Sequence, residues 1–388
     1  MLPFSSIEYF LLSFIFVVWV HIAKLYLKDF LSYDITLLIT SFLFLIFYFP
    51  KPLHILIFII YSYGIYILLQ QFQVIRNKVL GSLLLILPMI LAKVFEYNPI
   101  HCIFISELIF FPGLSYISFR LLSVYLDSNN QTASINIVSF LNYLLFIPTL
   151  LIGPIDRYDR FNSDEKSGYN RIGFKSIISG LNSLKIGILY KFIFAELINR
   201  YWLSTKTIES LNSLELIIDM YAYYLYLFFD FAGYSLMAIG LGKMLGINIP
   251  INFNKPFLSK NPQEFWTRFH KTLGDWLKDY FFIPFYKYFR TNNIFKPYKL
   301  LCENTSLFLT FFMMGCWNGL TKQYIISGSL FGVYSVIYNT YKFYNNKKKC
   351  DIFFGHLPQP VVKLLSIIIM INAVAFSLHI FSGRSPYF

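Results

Sequence analysis

Long apolar runs broken by short polar stretches set the plan of this chain. A helix needs about 20 mostly apolar residues to cross a bilayer. Eleven segments approach that length: 7–23, 33–49, 52–69, 80–95, 102–124, 135–152, 180–198, 216–241, 307–319, 324–341 and 361–381. The pattern predicts an all-α polytopic membrane protein with roughly eleven crossings. No internal repeat and no appended polar block interrupts it, so residues 1–388 are expected to form one integral membrane domain. The run ending at Gly319 is short for a full crossing and reads as re-entrant.

Two longer polar stretches separate the runs. Residues 156–175 mix Arg157, Arg160, Lys166, Arg171 and Lys175 with Asp156, Asp159, Asp164 and Glu165. Residues 255–299 carry nine Lys or Arg against three acids, Glu264, Asp275 and Asp279. Basic loops collect on the cytoplasmic side, so both stretches, and the run Lys347-Lys348-Lys349, are expected there. Within the second, residues 262–280 read as one amphipathic helix, with Asn261 as N-cap and Pro262 at the first helical position. Phe265, Trp266, Phe269, His270, Leu273, Trp276, Leu277 and Tyr280 share one face; Glu264, Thr267, Arg268, Lys271, Asp275 and Lys278 share the other. Such a helix would lie along the membrane surface with its aromatics buried.

Composition agrees. Hydrophobic residues make up 56% of the chain and charged residues 14%, where a soluble domain carries about a quarter. The 44 Phe and 30 Tyr suit a lipid-facing surface with interfacial belts. The start, Met1 to Glu8, has neither a basic n-region nor a small-residue cleavage site, and is expected to lead into a retained first span. Cys102, Cys302, Cys316 and Cys350 lack C-x-x-C spacing, which argues against a disulfide framework or a zinc site. The net charge of +13 is too unevenly spread for nucleic-acid binding and fits topology instead.

Few polar groups stand where chemistry could use them. His270 is the ionisable group on the apolar side of its helix; it is either a core histidine satisfied by a carbonyl or a working one. Asn318 lies at or near membrane depth, where an amide must find partners, and gluing two helices together is the plain alternative. Asp230 sits inside an apolar run, and intramembrane acids are functional candidates; a structural bond to Ser235 or to a neighbouring helix serves equally well. Glu107 is a weaker case of the same kind. His21, His54, His101, His356 and His379 stand alone and read as structural. A transporter, a channel or an intramembrane enzyme all fit these features, although a transporter would be expected to show inverted repeats and paired broken helices.

Several motifs in order narrow this. Gly113-Leu114-Ser115-Tyr116-Ile117-Ser118-Phe119-Arg120, Gly153-Pro154-Ile155-Asp156-Arg157-Tyr158-Asp159-Arg160-Phe161, Asp230-Phe231-Ala232-Gly233-Tyr234-Ser235, Asn252-Phe253-Asn254-Lys255-Pro256-Phe257 and Glu264-Phe265-Trp266-Thr267-Arg268-Phe269-His270 precede Met313-Met314-Gly315-Cys316-Trp317-Asn318-Gly319. This series, from Gly113 to Tyr341, resembles the membrane-bound O-acyltransferase family, and within it the D-alanyl transfer branch of teichoic acid D-alanylation. Alginate O-acetyltransferases are similar at a greater distance.

The resemblance implies a ring of tilted helices round a central tunnel, with amphipathic or re-entrant helices on the cytoplasmic side of the cell membrane. It implies no bound cofactor: the donor is a D-alanyl phosphopantetheine thioester on a small acidic carrier protein. The acceptor is a cell-envelope polymer such as teichoic acid, reached directly or through a small membrane peptide. The catalytic positions fall on His270 and Asn318, with Asp230, Ser235, Trp266 and Trp317 supporting the tunnel. Arg268, Lys271 and Lys278 form a basic rim suited to docking the carrier, or equally to anionic lipid. One position departs from the pattern. The residue after Trp317 is histidine in the family and asparagine here, and an amide cannot take a proton at physiological pH. Also, Phe331-Gly332 replaces the family's later histidine. Either His270 is the base with Asn318 as a polarising donor, or transfer is impaired and the chain is a carrier- or acceptor-binding component.

Overall fold

The computed structural model describes residues 7–71, 78–97, 111–128, 135–207, 211–348 and 355–384. Glu107, His101, Cys102, Cys350, Lys349 and the first part of the predicted 102–124 span lie outside them. Among the described residues every predicted apolar segment is helical in whole or in large part, and no strand occurs. The helices are α1 (Ile7–Tyr26), α2 (Tyr33–Tyr48), α3 (Pro52–Gln71), α4 (Lys78–Tyr97), α5 (Leu114–Ser128), α6 (Ile137–Leu145), α7 (Tyr158–Lys166), α8 (Phe174–Ile188), α9 (Ser213–Met244), α10 (Pro262–Trp266), α11 (Lys271–Leu277), α12 (Ile283–Thr291), α13 (Lys299–Asn318), α14 (Lys322–Lys348) and α15 (Gln359–Phe381).

Among the described residues, seven helical stretches are long and apolar enough to cross a membrane, and the shorter α2 is apolar as well. This is a multi-pass membrane protein. The expected eleven crossings are not all matched by length: α5 and α6 have 15 and 9 residues. The helix ending at Asn318 is longer than its apolar run predicts. It starts at Lys299 and reaches 20 residues, enough for a crossing; within it, buried Ser306 and Thr310 return their hydroxyls to carbonyls one turn back.

By internal contacts the chain divides into two compact units, residues 1–188 with 234–250, and residues 189–233 with 251–388. In the first, Val20, Leu37, Phe44, Phe140 and Met237 are fully buried. Some of its polar side chains close the ends of helices. Arg120 is buried and donates to the carbonyls of Tyr143 at 3.1 Å and Leu144 at 3.2 Å, and to that of Thr149. His21 Nε2 lies 2.9 Å from the Met244 carbonyl at the end of α9, a structural role as its isolation predicts. Gly113 (φ +91°) and Gly153 (φ +127°) adopt left-handed conformations, and a Cβ on Gly113 would meet the Leu150 carbonyl at 2.6 Å. The first two motifs therefore build turns. The mixed-charge stretch 156–175 is largely self-paired: Arg160 donates to Asp156 at 2.6 Å, and Arg171 pairs with Asp164.

In the second unit, α13 and α14 form an antiparallel hairpin whose backbones nearly touch. A Cβ on Gly315 would stand 2.5 Å from the Tyr324 carbonyl, and one on Gly328 2.7 Å from Gly315 Cα. Small residues at a crossing are how membrane helices approach this closely. Gly332 continues the stripe against Phe308.

A candidate acyl-transfer site around His270

The predicted single helix 262–280 is broken. It begins as expected, with Asn261 accepting from the Glu264 N–H at 2.8 Å. After Trp266 the chain turns, and His270 takes a left-handed conformation (φ +48°) before α11 starts at Lys271. Hydrophobic periodicity cannot report such a break, since Phe265, Phe269, Leu273, Trp276 and Leu277 are all buried on either side of it. Among the described residues, the non-glycine positions with positive φ are Lys255 and His270. Each costs on the order of 1–3 kcal/mol, and such outliers gather at functional sites.

Both belong to one pair of loops. The Asn254 N–H donates to the Arg268 carbonyl at 2.8 Å, and the Lys271 N–H to the Asn252 carbonyl at 2.9 Å. His270 is 7% exposed. Its ring meets Phe231 edge-on at 4.6 Å, and its Nδ1 lies 3.2 Å from Asn252 Oδ1. That oxygen also faces the Thr272 N–H at 3.2 Å and the Thr272 hydroxyl at 2.9 Å. Phe253 packs edge-on against Phe231 and Phe269. Burial pushes the imidazole down from its ordinary 6.5 to about 3, so it is neutral at physiological pH.

Trp266, half-buried, packs on Phe311 of α13 and Phe331 of α14, at 5.4 and 5.1 Å between ring centres. Phe331 also stacks on Phe265. The His270 loop is thereby seated on the hairpin that carries Asn318. Asn318, half-buried beside half-buried Trp317, is the last residue of α13, and its amide nitrogen donates to the Met314 carbonyl at 2.9 Å.

A model of the membrane-bound O-acyltransferase family matches residues 2–380. The chain belongs to this family. It is 32% identical to the teichoic acid D-alanyltransferase of Bacillus subtilis (strain 168), over 99% of this chain and 98% of that protein. It is 34% identical to the protein of the same name from Streptococcus thermophilus, over 78% of this chain and 75% of that one. The peptidoglycan O-acetyltransferase of Helicobacter pylori is 30% identical over 66% of this chain and 46% of its own length.

For a membrane-bound O-acyltransferase the chemical needs are a base for an acceptor hydroxyl and donors for the developing oxyanion. Of the two partners the sequence allowed Asp230, the neighbouring helix holds: Lys191 pairs with it. The lysine side chain is 5% exposed and the carboxylate 35%. Lys191 was not legible as a site residue, because a lysine inside an apolar run reads as a snorkelling side chain. It lies in a π-helical stretch, Leu189–Ala195, a distortion frequent at functional sites. Ser235, further along α9, is buried. Breaking a buried pair from one side costs about 3–5 kcal/mol. With Asp230 one-third exposed, Lys191→Met is expected to cost less, about 2 kcal/mol in melting experiments, and Lys191→Met with Asp230→Leu to recover most of it.

Two more groups escaped notice in the sequence. Asn252 stood in a quoted motif without a role. Asp219, fully buried in α9, accepts from Arg384 through both oxygens at 2.9 Å and from Trp202 at 3.1 Å. Of the basic rim, Arg268 is tied to Glu264 at 2.8 Å, while Lys271 and Lys278 are exposed.

The lowered affinity of His270 for protons links stability to pH. The unfolded chain takes up this proton near 6.5 and the folded protein only near 3. Its contribution is therefore fully present above pH 6.5 and is lost as pH falls from there toward 3, at about 1.4 kcal/mol per unit. The melting temperature in detergent should drop between pH 7 and 5, and His270→Gln should flatten that drop.

Proposed function

We propose that this acyltransferase moves D-alanine from a thioester on an acidic carrier protein to a hydroxyl of a cell-envelope polymer such as teichoic acid. The observation that carries the reading is His270, a buried neutral imidazole fixed by a neighbouring amide. The two teichoic acid D-alanyltransferases at 32% and 34% identity favour D-alanine and teichoic acid over other acyl groups and acceptors.

In the proposed step the acceptor oxygen attacks the thioester carbonyl while His270 takes its proton. The carbonyl oxygen gains charge, and the side-chain amide of Asn318 is the donor we assign to it. When the carbon–sulfur bond breaks, the thiolate leaves with the proton held by His270, and the D-alanyl ester remains on the acceptor. Asn318 replaces a histidine at a position where a donor is still useful, and the base role rests on His270 alone. Lys271 and Lys278 steer the carrier, because exposed charges act mainly on encounter rates.

The test is transfer of labelled D-alanine from loaded carrier to polymer by the protein in proteoliposomes, with acetyl-loaded carrier as competitor. Labelled polymer is expected. Equal use of acetyl groups, or no labelled polymer, would count against D-alanyl transfer. Lys271→Glu with Lys278→Glu should raise KM for the carrier several-fold at low salt, leave kcat unchanged, and lose its effect at high salt.

A further inference from the structure

We infer that Asn252 is a positioning residue that holds His270 in its Nδ1–H tautomer, making Nε2 the atom that takes the acceptor's proton. The second half of this inference rests on the proposed role of His270 as base.

Three contacts carry it. A neutral imidazole has one donor nitrogen and one acceptor nitrogen, and the hydrogen bond made by one fixes the task of the other. Nδ1 faces a side-chain amide, which could present either its oxygen or its NH2 group. Here the choice is forced. The same amide atom lies 3.2 Å from the backbone N–H of Thr272, and a backbone N–H can only donate. That atom is therefore the carbonyl oxygen, and an amide oxygen only accepts. The Thr272 hydroxyl, 2.9 Å away, donates to it as well. Nδ1, at 3.2 Å, must carry the hydrogen, and Nε2 is left with the ring's lone pair.

The backbone holds both partners in place. The Lys271 N–H binds the Asn252 carbonyl at 2.9 Å, so the residue after the histidine is tied to the residue that orients it. The left-handed turn at His270 serves this arrangement. Partners that orient metal-bound histidines typically change activity ten- to a hundred-fold when removed, and the same scale is expected for this histidine. A neutral amide differs from a carboxylate in one useful way: it orients the ring without attracting a second proton to it, so Nε2 stays free at physiological pH.

Nitrogen NMR of histidine-15N-labelled protein tests this, with the His270 signals identified by their loss in His270→Gln. The expected spectrum shows Nδ1 as a protonated, pyrrole-type nitrogen and Nε2 as a bare, pyridine-type one. Asn252→Asp keeps the shape and the acceptor but places negative charge against Nδ1–H. Its transfer rate should show an acid limb displaced upward by more than one pH unit, a change that a merely structural clip would not produce. Asn252→Leu, which offers no acceptor, should lose the Nδ1–H signature and slow transfer ten- to a hundred-fold; if it does not fold, the first two measurements still decide. An Nε2–H signature in the unaltered protein, or an unmoved pH profile in Asn252→Asp, would overturn the inference. Full transfer by His270→Gln beside an intact Nδ1–H signature would sink the base role alone and leave the tautomer standing.

Discussion

Replacing His270 with alanine is expected to lower D-alanyl transfer by about two to four orders of magnitude, the usual cost of losing a general base. The reasoning is that His270 is buried, neutral and fixed on one side by Asn252, and that Asn318 cannot substitute as a proton acceptor. The variant gives up one hydrogen bond and an edge-on contact with Phe231, a modest loss of roughly 1–3 kcal/mol. Folded protein should therefore still be recovered from membranes, and single-turnover transfer from loaded carrier, normalised to folded protein, separates chemistry from stability. A rate within threefold of the unaltered chain would remove His270 from the reaction.

Gly328→Val is expected to have the largest effect on the fold. The first added carbon would stand 2.7 Å from both Gly315 Cα and the Phe311 carbonyl, and neither is a flexible side-chain end that can swing aside. Overpacking costs about 1–3 kcal/mol where neighbours can yield; here the α13–α14 hairpin must separate. That movement would also displace Phe311 and Phe331, on which Trp266 and the His270 loop rest. The variant should melt well below the unaltered protein and lose transfer in proportion. Gly64→Ala is the matched control, since a Cβ there meets nothing within 4 Å and the helix gains about 1 kcal/mol of propensity. A Gly328→Val protein as stable as the Gly64→Ala one would contradict the close crossing.

Much of the helical plan was legible because burial in lipid writes itself as apolar length. The starts of α2 and α3 coincide with those of the predicted segments, and α9 and α15 overlap theirs with a few residues more. Helices whose first turns are polar, such as α13 from Lys299, ran past their apolar runs. Asp230 and His270 were legible as oddities, polar groups in apolar company. Their partners were not, since Lys191 is 39 positions from Asp230 and Asn252 is 18 from His270, and periodicity carries no information about pairing at that range. The left-handed turn at His270 was invisible for a related reason: it sits between hydrogen bonds to the distant loop 252–255. Arg120 ends the first quoted motif, which gave no sign that its side chain would close backbone carbonyls.

The central claim is that the site works as written, with His270 as base and Asn318 as a competent replacement for histidine. Transfer of labelled D-alanine from loaded carrier to polymer, compared among the unaltered chain, Asn318→His and His270→Ala, tests it most directly. The expected result is an active unaltered chain, an Asn318→His variant of similar rate, and a His270→Ala variant slower by at least a hundredfold. A silent unaltered chain that Asn318→His brings to life would contradict it, and would mean that the asparagine disables transfer.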